Sequence, residues 1–292
     1  MPRTACTILT LNIFHDLPMY RHLRRRCELI ANSIAAHRPA VAALQEVVRS
    51  TGSGDIGAAI RARVNQLCGS EVYRLDYAIA DGASADEFSF DEGVALLSRL
   101  EADGPAESLK YRAQVEMATE VAGHCYRLPD DRIAIRRRFR LGGGVGLDFY
   151  VSHLTDRPES IDGVPVRTMQ ARELAGWASA ASGPATTVIL AGDFNDVPDS
   201  ETIASLKRAG FIDLHEAFGS GSGYTNDRDD IDLNAESATH NQRIDYLMMR
   251  PTNGHVPEVT EVGLFADRPH RESDGTWLWR SDHIGVIATL WL

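Results

Sequence analysis

Short apolar runs of strand length alternate with amphipathic stretches of helical period along most of this chain, and this alternation constrains its fold most. It is typical of layered α/β architecture, in which helices cover the faces of a sheet. Helical spacing predicts one helix at 23–34, a second at 166–181, and a third that begins at Asp199 or Ser200 and stops at Gly210. The chain therefore has helices enough to cover a sheet.

Several of the predicted strands follow one another with no helix between them that is long enough for a crossover. Much of the sheet must therefore be antiparallel or mixed. The intervening polar segments are short and lead directly into strands, which predicts a single domain over residues 1–292. The predicted strands lie at 7–11, 41–45, 73–80, 93–97, 133–139, 147–151, 187–191, 244–249 and 284–290.

The composition excludes several classes of protein. With 43% hydrophobic and 24% charged residues, the chain is neither disordered nor a fibrous repeat. Its formal net charge of −11 argues against coating nucleic acid or an anionic membrane, although an enzyme with a bound cation stays compatible. The four cysteines lack zinc or disulfide spacing, and no signal sequence or membrane span is visible. We expect reduced thiols and a cytoplasmic monomer.

Polar side chains follow four of the apolar strands, at the point where each strand ends. A strand end holds a side chain rigidly and leaves it free to contact a ligand. Four such ends that carry metal-ligand, acid–base or amide groups indicate convergence on one cleft. These residues are Asn12, Gln45 and Glu46, His153, and Asp193 with Asn195 two positions later.

A carboxylate also lies within a predicted strand whose other residues are typical of a buried core. Asp245 lies in the apolar run 244–249, where an unpaired buried charge costs several kcal/mol. His283, which opens the last strand, is the natural partner. A carboxylate that binds one imidazole nitrogen fixes the tautomer and raises the basicity of the ring. The sequence therefore predicts an Asp245–His283 pair.

Seven motifs in order give the chain a resemblance to the endonuclease/exonuclease/phosphatase superfamily of metal-dependent phosphoesterases. That resemblance implies a four-layer fold of two packed mixed β-sheets with helices on both outer faces, and a cleft at one edge of the sandwich. The motifs are LN at 11–12, QE at 45–46, GVALLSR at 93–99, SHL at 152–154, GDFN at 192–195, RIDY at 243–246 and SDH at 281–283.

The resemblance also implies a cofactor and its ligands. Glu46 would be the principal ligand of a Mg²⁺ ion, with Asn12 and Asp282 close to it. Oxygen-only ligands suit magnesium, and manganese could replace it. Asp193 and Asn195 would orient the attacking water and contact the phosphate.

The remaining roles that the resemblance implies belong to imidazoles and their partners. The His283–Asp245 pair would take the proton from the water or stabilise charge that develops on phosphorus. His153 would bind a phosphate oxygen or assist the leaving group, oriented by Glu92. The reaction is in-line attack by water, and it needs no covalent intermediate.

The substrate class stays open between alternatives. A histidine at 153 departs from the tyrosine of abasic-site endonucleases, and GDFN and RIDY differ from the motifs of inositol polyphosphate 5-phosphatases. An acidic loop at 219–242 would repel a polyanion if it bordered the cleft. We expect a small or lipid-like phosphoester as substrate. A nuclease acting on DNA or RNA is the first alternative, and a catalytically silent binding module is the second.

Two clusters of arginine are interpreted as structural. Arg136, Arg138 and Arg140 alternate with apolar residues, which predicts that they lie on the solvent face of a strand. The run 24–26 is predicted to lie on a solvated helix face.

Overall fold

The computed structural model describes residues 5–17, 19–85, 88–121, 124–141, 146–227 and 232–292. Two β-sheets pack face to face, and helices cover both outer faces. The mixed α/β sandwich expected from the sequence is therefore confirmed.

The first sheet is built around the N-terminal strand of the chain, β1. It pairs parallel to β2 on one side and antiparallel to the C-terminal strand, β19, on the other. In sheet order its strands are β16 (Glu258–Phe265), β19 (Gly285–Trp291), β1 (Ala5–Asn12), β2 (Val41–Ser50), β5 (Phe88–Ser98) and β4 (Arg74–Ala85), with β3 (Gly54–Asp55) paired to β2.

The second sheet has the same mixed character, because β10 pairs parallel to β13 and antiparallel to β9. In sheet order its strands are β14 (Ile212–Asp213), β15 (Asp245–Arg250), β13 (Thr186–Asp193), β10 (Gly146–His153), β9 (Ile133–Arg140) and β6 (Glu107–Lys110). Three hairpins stand outside the sheets: β7 (Val115–Val121) with β8 (His124–Asp130), β11 (Ser160–Ile161) with β12 (Val164–Pro165), and β17 (His270–Arg271) with β18 (Trp277–Leu278).

Three of the helices agree with the prediction and two were not predicted. The predicted ones are α1 (Leu23–His37), α3 (Val166–Ala181) and α4 (Glu201–Arg208), the last capped by the Ser200 hydroxyl. The others are α2 (Ile56–Cys68) and the short α5 (Leu214–Phe218). For α2 the signal was in the sequence, since the carboxylate of its capping residue, Asp55, accepts the backbone N–H of Ala58 at 2.8 Å.

Apolar side chains fill three spaces between the four layers. The space between the sheets holds residues of both, such as Ile8 of the first and Phe149 of the second. A second cluster joins α1 and α2 to the first sheet, and a third joins α3 and α4 to the second. Both sheets are thus buried on two faces, so their central strands are nearly all apolar until they reach the edge of the sandwich.

The arginines of β9 correct one prediction. Arg136 and Arg138 do alternate with core residues, but their face is covered by the C-terminal end of α3, and Arg136 is buried. Both guanidinium groups donate to the fully buried carboxylate of Asp148 on β10, at 2.8–2.9 Å. Arg136 and Arg138 thus neutralise the buried charge of Asp148 beneath α3. Of the three arginines, only Arg140 is exposed.

Arg26 corrects a second prediction. The run 24–26 was expected on a solvated helix face, yet the Arg26 side chain has no exposed surface. Its guanidinium donates only to backbone carbonyls, in the loop between β1 and α1 and in the segment before β19. A charge can be buried in this way because four of its five N–H groups find carbonyl acceptors in place of water.

The structure also bears on the state of the cysteines and on membrane-spanning helices. Cys6, Cys27 and Cys68 carry free thiols, as predicted, while the side chain of Cys125 lies outside the described residues. Among the helices of the described ranges, none combines the length and the hydropathy that a membrane span requires.

Candidate active site

The polar strand ends identified in the sequence meet at one edge of the sandwich. Asn12 closes β1, and His153 and Asp193 close the parallel strands β10 and β13 in register. Asp245 begins the antiparallel strand β15 directly opposite Asp193, and His283 lies two residues before β19. Because the ends of parallel strands and the starts of their antiparallel neighbours share an edge, side chains distant in sequence face one cleft.

A bulge in β2 positions Glu46. The pairing between β2 and β5 shifts register between Leu44 and Val47, and Glu46 has a φ of 55°. Such a bulge turns a side chain out of the regular alternation of a strand. The Glu46 carboxylate then accepts from Asn12 Nδ2 at 2.9 Å and from the backbone N–H of His15 at 3.3 Å.

Asn12 bridges the two sheets. Its Nδ2 donates to Glu46 Oε1 of the first sheet and, at 3.1 Å, to Asp193 Oδ2 of the second. Its Oδ1 accepts the backbone N–H of Phe14 at 3.0 Å. The amide nitrogen, and not the oxygen expected to bind metal, therefore faces the carboxylates. In this geometry Asn12 holds Glu46 and Asp193 at a fixed separation.

A glycine allows Asp193 to reach the cleft. Gly192 has a φ of 152°, and a Cβ there would lie 1.8 Å from the carbonyl oxygen of Ser152 on β10. The following turn is held by Asp193 Oδ1, which accepts the backbone N–H of Asn195 at 2.9 Å. Burial and the nearby Asp245 carboxylate raise the pKa of Asp193 to about 7. The GDFN motif thus delivers a buried carboxylate and an amide together.

The predicted pairing of Asp245 with His283 is present. Asp245 Oδ2 lies 2.8 Å from His283 Nδ1, and both residues are buried. Thr225, which the sequence did not single out, joins them: its hydroxyl accepts the N–H of Asp245, and its carbonyl accepts the N–H of Ile284. Burial lowers the pKa of His283, but the negative charges of Asp245, Asp282 and Asp193 outweigh it and raise that pKa well above 6.5.

His153 has different partners from those expected. Its Nε2 lies 3.1 Å from Asn195 Nδ2 and 3.5 Å from Asp193 Oδ2, and its Nδ1 lies 3.0 Å from Arg132 Nη1. Burial, with the positive charges of Arg132 and His283, lowers the pKa of His153 well below 6.5. The predicted orientation of His153 by Glu92 is corrected, because the hydrogen-bonded partner of Glu92 is another histidine.

That partner is His15, which sequence reasoning missed. His15 Nε2 lies 3.1 Å from Glu92 Oε2, and His15 Nδ1 accepts the backbone N–H of Leu17 at 2.9 Å. Burial acts against the charged imidazole, but Glu92 and Glu46 raise the pKa of His15. His15 lies in the loop after β1 and follows no motif, so only the three-dimensional structure places it in the cleft.

Glu46 and Asp282 are the two carboxylates that the sequence predicted near a metal ion, and the charge of Glu46 acts on Asp282. Asp282 is fixed by Ser281, whose hydroxyl donates to the Asn12 carbonyl at 2.6 Å and accepts the N–H of His283 at 3.1 Å. Burial and the charge of Glu46 raise the pKa of Asp282 to about 6. Two carboxylates that repel each other in a partly buried site fit a cation with oxygen ligands.

A second group of potential ligands lies beside this pair. Asp193, Asp245 and His283 place ligand atoms within 4.8 Å of one another. None of the three was predicted as a metal ligand. Since Asp245 and His283 already bind each other at 2.8 Å, this group can serve either as a metal site or as an acid–base dyad with an adjacent carboxylate.

A cleft of about 500 Å³ is lined by His15, Glu46, Glu92, His153, Asp193, Asn195 and His283, while Asn12, Asp245 and Asp282 lie outside its lining. Its mouth is bordered by the segments after β8 and β10 and by Asn226 of the loop predicted to be acidic; positions 228–231 of that loop lie outside the described residues. Among the described lining residues, carboxylates outnumber guanidinium groups six to two: Glu46, Asp81, Glu92, Asp130, Asp156 and Asp193 against Arg132 and Arg157.

A two-sheet sandwich with a carboxylate- and imidazole-rich cleft at one edge defines a hydrolase of the phosphoesterase type. The sequence profile of the Endonuclease/Exonuclease/phosphatase family matches residues 9–283, so the chain belongs to that family. Its members are phosphoester hydrolases that generally use a divalent metal, which confirms the enzyme class expected from the sequence. The comparison with curated proteins gives no match.

Solved structures share the fold at low sequence identity. A family protein from Leptotrichia buccalis C-1013-b aligns with a TM-score of 0.70 and 16% identity, covering 98% of this chain and 100% of the other. A mannosyl-6-phosphatase from Bacteroides thetaiotaomicron VPI-5482 aligns at 0.66 and 16%, covering 98% and 100%. A D. rerio TDP2 complexed with single-strand DNA product aligns at 0.63 and 19%, covering 98% and 99%.

Proposed function

We propose that this chain is a Mg²⁺-dependent phosphoesterase that hydrolyses a small phosphoester by in-line attack of water. The observation that carries the proposal is the meeting of the Glu46–Asp282 carboxylate pair with the His283–Asp245 dyad, Asp193 and His153 at one sheet edge. Glu46 and Asp282 would bind Mg²⁺, and Mn²⁺ could replace it. A cation held there would supply charge neutralisation at the phosphoryl group and would lower the pKa of water.

Side chains of the protein orient the water, stabilise the developing charge and contact the phosphate. Asp193 Oδ2 lies 3.7 Å from His283 Nε2, and with Asn195 it orients the attacking water. His283 directs Nε2 into the cleft because Asp245 holds its Nδ1, and in its charged form it stabilises the negative charge that develops on the phosphoryl oxygens. His153, whose pKa is lowered by burial and by the charge of Arg132, contacts a phosphate oxygen or the leaving group.

The charge of the cleft favours a small substrate over a nucleic acid. A protein that tracks a phosphate backbone needs a basic surface beyond the reacting phosphate, whereas here the lining is mainly acidic. A single small phosphoester brings far less negative charge to that lining than a nucleic acid does. The fold neighbours include both a mannosyl-6-phosphatase and a TDP2 with DNA product, so fold alone does not choose between the classes.

Magnesium is expected to stabilise the protein through Glu46. At a free Mg²⁺ concentration ten times its Kd, binding stabilises the native state by about 1.4 kcal/mol, which raises Tm by about 2 °C. The variant Glu46→Gln keeps the shape but loses the charge, so its Tm should not change with Mg²⁺. Differential scanning fluorimetry with and without EDTA measures this. An equal rise in the variant would remove Glu46 as principal ligand.

The substrate class can be tested with matched chromogenic esters. We expect Mg²⁺-dependent hydrolysis of p-nitrophenyl phosphate and of small phosphoesters, with plasmid nicking at least 10-fold slower per enzyme, roughly the factor that 1.4 kcal/mol of unfavourable electrostatics produces. Glu46→Ala serves as the contamination control. Rapid plasmid nicking that disappears in this variant would replace the proposal with the nuclease alternative. Absence of all turnover, with no response to Mg²⁺, would favour a silent binding module.

A further inference from the structure

Arg132, at the start of β9, is held rigidly in the wall of the cleft. Its backbone N–H donates to Gln114 Oε1 at 2.9 Å, and its carbonyl accepts from Gln114 Nε2 at 2.9 Å. Nη2 lies 3.2 Å from Asp130 Oδ1 and 3.3 Å from Asp156 Oδ1, and only 11% of the side chain is exposed. The two carboxylates thus fix one edge of the guanidinium.

Nη1 of the guanidinium faces the reacting groups. Nη1 lies 3.0 Å from His153 Nδ1, and Nε is buried without a hydrogen-bond partner among the described residues. His153 meets a second donor, Asn195 Nδ2, at its other nitrogen, 3.1 Å away. A neutral imidazole accepts through one nitrogen only, and a guanidinium never accepts. Asn195 Nδ2 also donates to the Leu154 carbonyl at 2.8 Å, so the donor of this group that has no acceptor among the described residues is Nε of Arg132.

A buried guanidinium beside the carboxylate and imidazoles of a phosphoesterase cleft, with its Nε still lacking an acceptor, fits an anion. We infer that Arg132 is a specificity-determining residue that recognises the second negative charge of a phosphomonoester dianion. This inference rests on the proposed function, because it places the reacting phosphate against His153, Asp193 and Asn195. It narrows the substrate class from phosphoesters in general to monoesters.

The physical basis is the difference in charge between the two ester classes. A monoester has a second pKa near 6 and carries about two negative charges at pH 7.5, whereas a diester carries one. Arginine stays charged at every accessible pH, and a charge-assisted hydrogen bond from it is roughly twice as strong as a neutral one. The extra oxyanion of a monoester supplies a further acceptor for the Arg132 guanidinium.

The test compares two substrates with the same leaving group, p-nitrophenyl phosphate and methyl p-nitrophenyl phosphate, at pH 7.5. We expect Arg132→Gln to lower kcat/KM for the monoester by about 10- to 100-fold and for the diester by about threefold or less. Arg132→Lys, which keeps the charge and loses the fork, should recover part of the monoester rate. Equal losses on both substrates would overturn the inference.

Asp156→Asn separates recognition from structure, because it removes an ion pair from the same guanidinium without removing the guanidinium. We expect it to keep or raise the ratio of monoester to diester kcat/KM. A fall in this ratio as large as that of Arg132→Gln would assign the effect to the ion pair and overturn the inference.

A binding measurement keeps the inference testable if the wild-type protein hydrolyses neither ester, a result that would contradict the proposed function itself. Isothermal titration with inorganic phosphate should then show Kd raised by about 10-fold or more in Arg132→Gln and unchanged in Asp156→Asn. An unchanged Kd in Arg132→Gln would overturn the role of Arg132 as anion receptor.

Discussion

Replacing His283 with alanine is expected to lower kcat for phosphoester hydrolysis by about 10²- to 10⁴-fold, the range typical of a lost acid–base or charge-stabilising group. The dyad carries this effect: His283 is the charged donor nearest Asp193, and Asp245 fixes its tautomer at 2.8 Å. Steady-state kinetics under saturating Mg²⁺ measure the loss. The exposed His255 provides a matched control, and His255→Ala should stay within about twofold of the wild type.

A second substitution separates chemistry from stability. Alanine at 283 leaves the Asp245 carboxylate buried without a donor, and Asp245 Oδ1 already lacks a partner among the described residues. His283→Asn can still donate to Asp245 from the position of Nδ1 but has no group at Nε2. We expect this variant to keep its Tm and lose its activity. Near wild-type kcat in both variants would remove His283 from the mechanism.

The sequence predicted the edge of the sandwich well because strand ends are local features. Asn12, His153 and Asp193 each close an apolar run, and the structure shows those runs continuing to the polar residue itself. Asp245 could be paired with His283 because a carboxylate in a core strand needs a partner. In these cases chemistry that is readable in one segment dictates where the side chain lies.

Other parts of the site depend on contacts that no single segment specifies. His15 and Arg132 lie outside apolar runs. Each contacts a residue on a strand that is distant in sequence, Glu92 in the case of His15 and His153 in the case of Arg132. The bulge that turns Glu46 is a mismatch between β2 and β5, so it is a property of the pair. The same limit explains why Arg136 was wrongly predicted to face solvent. That face of β9 is buried only because α3 packs on it.

Arg26 is expected to give the largest effect on stability. Replacing it with methionine, which has a similar shape and no donors, should lower the free energy of unfolding by about 3–5 kcal/mol. The guanidinium is fully buried and packs 5.4 Å from the Phe14 ring centroid. It donates at 2.7–3.2 Å to the carbonyls of Ile13, Phe14, Arg21 and Arg280. Methionine would leave several of these carbonyls buried without a donor.

The same four carbonyls belong to the loops that carry the site, so the stability loss should extend to function. One loop follows Asn12 and contains His15, and the other leads into Asp282. Thermal unfolding of Arg26→Met should show Tm lowered by roughly 5–8 °C. The neighbouring exposed Arg24 gives the matched control, with Arg24→Met within about 0.5 kcal/mol of the wild type. If the two variants unfold at the same temperature, the buried guanidinium does not hold these loops together, and their order must come from the apolar contacts of α1.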